Sequence, residues 1–168
     1  MVMVTDELRA VCSPEPDPIY RYTYTRIRRP ESPKAAVVML NPVHDGTITD
    51  PTTGRCMQLL AEQGYGEVTF VNVFAYRHPD PNKLRGLYRS GADLVGPDND
   101  IHIATAVQDA EKVVLAWGAH ARRIDSDRVN TVLGMIPDPW CFSLNRDGSP
   151  HHPLYLRAPV LARYHGEG

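Results

Sequence analysis

The stretch Ala35-Ala36-Val37-Val38-Met39-Leu40-Asn41-Pro42 decides the fold. Six continuously apolar residues, β-branched at Val37 and Val38, are closed by a turn-forming Asn-Pro pair, the pattern of a strand covered on both faces. Three further apolar runs follow: VTFVNV at 68–73, VVLAW at 113–117 and WCFSL at 140–144. Helical spacing lies between them, over 54–63 up to Gly64, over 101–112 after Pro97-Asp98, and over 119–133 up to Gly134. Buried strands alternating with helices predict an α/β fold, a three-layer sandwich around a mainly parallel sheet of about four strands, because parallel neighbours need crossover connections. In such sheets ligands bind outside the carboxyl ends of the strands, so the residues that follow each strand are the candidates for function.

With 168 residues, 42% hydrophobic and 23% charged, the chain is expected to form one domain over 1–168, with 1–19 an irregular leading segment. No apolar run approaches the ~18 residues of a membrane span, and the first residues lack a secretory pattern, so no membrane partner and a cytoplasmic location are expected. Cys12, Cys56 and Cys141 are odd in number and widely spaced, which points to free thiols and to no metal site. Eighteen basic residues against 20 acidic ones, a net charge of -2, exclude attachment to nucleic acid by bulk charge. The local exception runs from Tyr20 to Lys34, where Arg21, Arg26, Arg28, Arg29 and Lys34 meet only Glu31; it is either a contact patch or a solvated edge strand.

The predicted strand ends carry a recurring set of side chains. Asn41-Pro42-Val43-His44 follows the first strand; Asn72 closes the second, with Phe74, Tyr76 and Arg77 beyond. Trp117-Gly118-Ala119-His120 ends the third, and His151-His152-Pro153 lies beyond the fourth. Amides and imidazoles can orient a water, read an amide-like edge or stabilise a developing anion. Gly96-Pro97-Asp98-Asn99-Asp100 reads as helix capping, with a divalent-metal loop as the alternative, and Asp50 as either a pocket residue or a turn initiator.

In order along the chain, Leu40-Asn41-Pro42-Val43-His44, Gly54-Arg55, Phe70-Val71-Asn72-Val73, Val114-Leu115-Ala116-Trp117-Gly118 and His152-Pro153-Leu154-Tyr155-Leu156-Arg157 resemble the motifs of the uracil-DNA glycosylase superfamily. The segments MLNP, DPT, VNVFAYR, GPDND, AWG and HPLYL also resemble an uncharacterised bacterial and phage family known only as a domain of unknown function. The first resemblance implies a glycosylase-like fold and a monofunctional DNA glycosylase acting on a damaged or modified base, without a cofactor. Thermostable members stack the base on a phenylalanine where this chain has Thr52, so either Phe74, Tyr76 or another aromatic substitutes, or the ligand is not a flipped pyrimidine. They hold an iron-sulfur cluster on four cysteines, which this chain lacks.

Under that resemblance Asn41 orients the attacking water and His152 donates a hydrogen bond to the departing base. Asn72 reads the base edge, while His44 and Pro42 shape the water and phosphate site. Arg55 contacts a phosphate or is an ordinary helical arginine, and Arg157 flanks a wedge drawn from Leu154, Tyr155 or Leu156. Asparagine at 41 supplies no general base, so hydrolysis is expected to be slow. Asn41→Ala and His152→Ala are both expected to spare the fold. Partners are thus DNA or another nucleobase-containing substrate. The alternatives are a non-catalytic nucleotide or modified-base binding module and a hydrolase of free nucleosides or nucleotides.

Overall fold

The computed structural model describes residues 6–47, 50–154, 156–157 and 159–166. In chain order its elements are β1 (Glu7–Ser13), β2 (Tyr20–Ile27), β3 (Lys34–Met39), α1 (Pro51–Glu62), β4 (Glu67–Asn72), α2 (Pro81–Arg89), α3 (Asn99–Asp109), β5 (Lys112–Leu115), α4 (Ala121–Ile124), α5 (Ser126–Gly134), β6 (Pro139–Cys141) and β7 (Ala162–Arg163). The strands form one sheet in the order β1-β2-β4-β3-β5-β6-β7. Its centre, β4-β3-β5-β6, is parallel, and β1, β2 and β7 join antiparallel at its flanks. The fold is therefore mixed α/β, and the sheet has seven strands among the described residues rather than about four.

Strand alternation sorts the apolar residues of β3 into two layers. Ala35, Val37 and Met39 pack with Cys56, Met57, Leu59 and Leu60 of α1; Ala36 and Val38 face the side covered by α2 to α5, including Leu84, Ile103, Ile124 and Val129. Each such leucine, methionine or isoleucine contributes about 1.5–3 kcal/mol by leaving water. Helix α1 starts at Pro51 rather than at 54, because the Asp50 side chain accepts the Thr53 N–H and proline suits the first helical turn. The single helix expected over 119–133 is two: Asp125 is extended (φ -154°) and caps α5 by accepting the Arg128 N–H.

The leading segment is not irregular throughout, since β1 occupies Glu7–Ser13 and pairs with β2. Nor is the arginine-rich stretch a solvated edge. β2 lies between β1 and β4, and its Arg21 and Arg26 are buried. Arg26 and Arg28 both pair with Asp6, whose carboxyl is held below its ordinary value by those two cations against the upward push of burial. The β1–β2 register skips Tyr22, between the pairs Val11–Thr23 and Cys12–Arg21. This bulge brings Arg21 onto the same face as Tyr24, with the guanidinium 5.0 Å from the ring centre.

The capping expected of Gly96–Asp100 is also revised. Asp98 stands at the N-cap of α3 without a side-chain hydrogen bond, and Asp100 in the first turn binds Arg128 at 2.6 Å. No group of three or more metal-ligating side chains occurs among the described residues, and no described helix is long and apolar enough to cross a membrane.

Candidate functional site

β3 sits in the middle of the parallel strands, with β4, the next in sequence, on one side and β5 on the other. The chain thus reverses its direction of progress across the sheet at the β3–β5 boundary, where the loops diverge and leave a crevice. A cavity of about 470 Å³ opens there, walled by Met39, Leu40 and Asn41 after β3, by Trp117, Gly118 and His120 after β5, and by Asn145, His151 and His152 beyond β6. His78 and Pro79 complete it from the loop before α2. The volume suits a heterocycle with its sugar. Among the described residues the lining holds four imidazoles and two amides and neither a carboxylate nor a lysine or arginine.

Asn41 is the best-anchored member. Its Nδ2 donates to the backbone carbonyls of Pro42 (3.1 Å), Tyr76 (3.2 Å) and His78 (2.9 Å), tying the loop after β3 to the loop after β4. Its Oδ1 has no hydrogen-bond partner among the described residues, which leaves an acceptor for a ligand or a water. His152 likewise makes no side-chain hydrogen bond among the described residues. Burial pushes its pKa below the ordinary 6.5, neighbouring His151 adds to this, and the Asp50 carboxylate opposes it. At neutral pH the imidazole is therefore uncharged and retains one N–H donor. Gly118, at φ +76°, passes close beside it: a Cβ there would lie 3.9 Å from the His152 Cβ. His151 is turned to its own backbone, with Nδ1 2.7 Å from the His152 carbonyl.

A pH dependence follows from His152. Its pKa is lower folded than unfolded, so the unfolded chain binds more protons below pH 6.5 and stability falls as pH falls through that range. The melting temperature of the wild type is expected to drop more steeply below pH 6.5 than that of His152→Ala. Equal slopes would show that the imidazole is not desolvated.

The other sequence candidates lie outside this cavity. His44 belongs to a chain of three groups: Arg21 Nη1 and the Gly46 N–H approach Nδ1 at 3.2 and 3.0 Å, and Nε2 lies 2.8 Å from Asp50 Oδ2. Because arginine and a backbone amide only donate, Nδ1 accepts and Nε2–H donates to Asp50. Gly46 closes this loop at φ +97°, where a Cβ would meet the Ala10 Cβ at 2.5 Å. Burial drives the Asp50 carboxyl up, but the Thr53 N–H, His44 and Arg21 together hold it below its ordinary value.

Pro42 is buried and its carbonyl accepts the His78 N–H; Thr52 is half-buried in the first turn of α1. Phe74 is fully buried in the core, and Tyr76 packs edge-on against Tyr20, so neither offers a stacking surface in the cavity. Trp117 borders the cavity but is 1% exposed and packed in the core, so it presents no open ring face either. Arg55 donates to Gln58 and to the Leu156 carbonyl, clamping the segment after His152 onto α1. Leu156 packs on the α1 side of the core, Arg157 is exposed and away from the cavity, and Tyr155 lies outside the described residues.

Asn72 stands opposite Met39 in the β3–β4 register, 1% exposed, with neither side-chain atom hydrogen-bonded. It does not line the cavity. A buried amide without partners costs about 1–3 kcal/mol. Asn72→Leu is therefore expected to raise unfolding stability by about 1–2 kcal/mol in a denaturant titration; a loss of that size would mean that the amide is satisfied in solution.

The residues that sequence reasoning left unchosen are Trp117, His120, His151, His78 and Asn145. The first three were visible as strand-end residues. Asn145 directly follows the predicted run 140–144 and was equally visible, whereas His78 lies further along the connection after β4.

A three-layer α/β protein with an imidazole-lined cavity at the reversal point of its sheet is the class that fold and site define. Within it, the chain belongs to the family described as Protein of unknown function (DUF1643), which it matches over residues 21–154. No curated protein and no solved structure matches it. The likeness to uracil-DNA glycosylases consequently rests on the short motifs alone.

Proposed function

We propose that the chain is a nucleobase N-glycosidase of the uracil-DNA glycosylase type, holding the base of an extruded or modified nucleotide in the β3–β5 cavity. One observation carries this reading: Asn41 and His152, far apart in sequence, line the same cavity, each with an unspent polar atom. The parallel core between two helical layers supports the corresponding fold type.

In the reaction the bond between the sugar's anomeric carbon and the base nitrogen breaks, and its electron pair leaves with the base. The neutral His152 N–H donates a hydrogen bond to the base oxygen where that charge gathers. Asn41 Oδ1 accepts from a water that adds to the anomeric carbon; the water's proton passes to solvent.

A second reading, a binding module without turnover, is favoured by the absence of any carboxylate from the cavity lining. Purified protein incubated with oligonucleotides carrying uracil, hypoxanthine, xanthine or phage-type modified bases, and with the matching free nucleosides, separates the two. Free base with an alkali-labile abasic site marks a DNA glycosylase, and base from nucleosides alone marks a small-molecule hydrolase. Intact substrates that still bind would overturn the catalytic reading.

A further inference from the structure

A second, smaller cleft of about 210 Å³ adjoins the first and shares two walls with it, Pro81 and His120. Its remaining lining is Asn82 and Arg85 from α2 and Arg123 and Ile124 from α4. The chemistry changes across that boundary: among the described residues the large cavity is lined by no lysine or arginine, whereas the small one has two guanidinium groups. Neither Arg85 nor Arg123 has a side-chain hydrogen bond or ion pair among the described residues. The neighbouring Arg122, by contrast, is committed to Ser126 and Asn130. The acids nearby are occupied: Asp80 accepts the Asn82 N–H, and Asp125 caps α5. Asp147 is held below its ordinary value first by the Ser149 hydroxyl and N–H, with only a small contribution from Arg123.

From this juxtaposition we infer that the Arg85–Arg123 cleft binds the phosphate of the nucleotide whose base occupies the β3–β5 cavity. Arg85 and Arg123 are exposed, each guanidinium is a planar fork of donors that matches phosphate oxygens, and a cleft of this volume accommodates one phosphate and little more. Pro81 and His120, common to both spaces, then flank the sugar. The inference rests on the proposed nucleobase site for its substrate class. It names a phosphate ester, which a free mononucleotide supplies as a monoester and a nucleic-acid strand as a diester.

The test is calorimetric titration of inorganic phosphate, deoxyuridine, deoxyuridine 5′-monophosphate and a short single-stranded oligonucleotide containing deoxyuridine. These are titrated into the wild type, the double variant Arg85→Gln/Arg123→Gln and the control Arg122→Gln. The expected result is that a phosphate-bearing ligand binds about tenfold or more tightly than the nucleoside. That gain disappears in the double variant and persists in the control. A gain with the monophosphate identifies a free nucleotide as source, and a gain with the oligonucleotide alone identifies a strand phosphodiester. If no phosphate-bearing ligand gains over the nucleoside, or if the gain survives loss of both arginines, the inference is overturned. Inorganic phosphate binding that is lost in the double variant, with no binding of any base, would retain the anion cleft and remove the nucleobase reading.

Discussion

Asn41→Asp is expected to lower unfolding stability by about 2–4 kcal/mol. The substitution alters almost no volume. It replaces a group with two protons, shared among three backbone carbonyls at 2.9–3.2 Å, by an acceptor facing the same three carbonyls. Each lost hydrogen bond costs about 0.5–1.5 kcal/mol, and the repulsion between the carboxylate and the carbonyls adds to it. For a chain of this length the melting temperature should fall by roughly 5–15 °C. Asn41→Ala removes the same bonds without the repulsion and is expected to lose less. This revises the expectation from sequence that Asn41→Ala spares the fold, because the amide nitrogen is a structural tie between two loops. Unchanged melting for Asn41→Asp would mean that the loops are not joined through this side chain.

His152→Ala is expected to do the opposite, sparing the fold and removing the chemistry. The imidazole makes no hydrogen bond among the described residues, so its loss should change stability by no more than about 0.5–1 kcal/mol. Removing a single donor to a developing anion typically costs about 10²–10³ in turnover, and that is the loss expected here in single-turnover base release. His152→Gln keeps an N–H of similar reach and should recover part of it. A His152→Ala protein that turns over at the wild-type rate would exclude this side chain from the reaction.

The parallel core was legible because its strands are apolar on both faces: β3, β4 and β5 carry unbroken runs that few other structures explain. β2 was not recognised as an internal strand because arginine usually signals solvent, yet Arg21 and Arg26 are buried against His44 and Asp6. β1 exposes most of its length and so carries no core signature. Helix α2 buries only Leu84, too little for a periodic pattern, although Asp80 and Pro81 mark its start.

At the site, the position of a residue after a strand located Asn41 and His152. It could not say on which side of the sheet, or how deep, a neighbour would fall. Phe74, as close behind β4 as Asn41 is behind β3, is core, and His44, further along the same loop as Asn41, is bound to Arg21 and Asp50. Trp117, written within an apolar run, is core by burial although it borders the crevice.

The most direct test of the central claim, that one cavity between β3 and β5 receives a heterocycle, is imidazole resonance spectroscopy on histidine-labelled protein titrated with uracil and hypoxanthine. The chain has seven histidines, and four of them line the cavity. The signals of His152, His151, His120 and His78 are expected to shift with base. Those of His44, bonded to Asp50, and His102, stacked on Tyr22, are expected to stay in place. Shifts confined to His44 or His102, or none at all with either base, would contradict it.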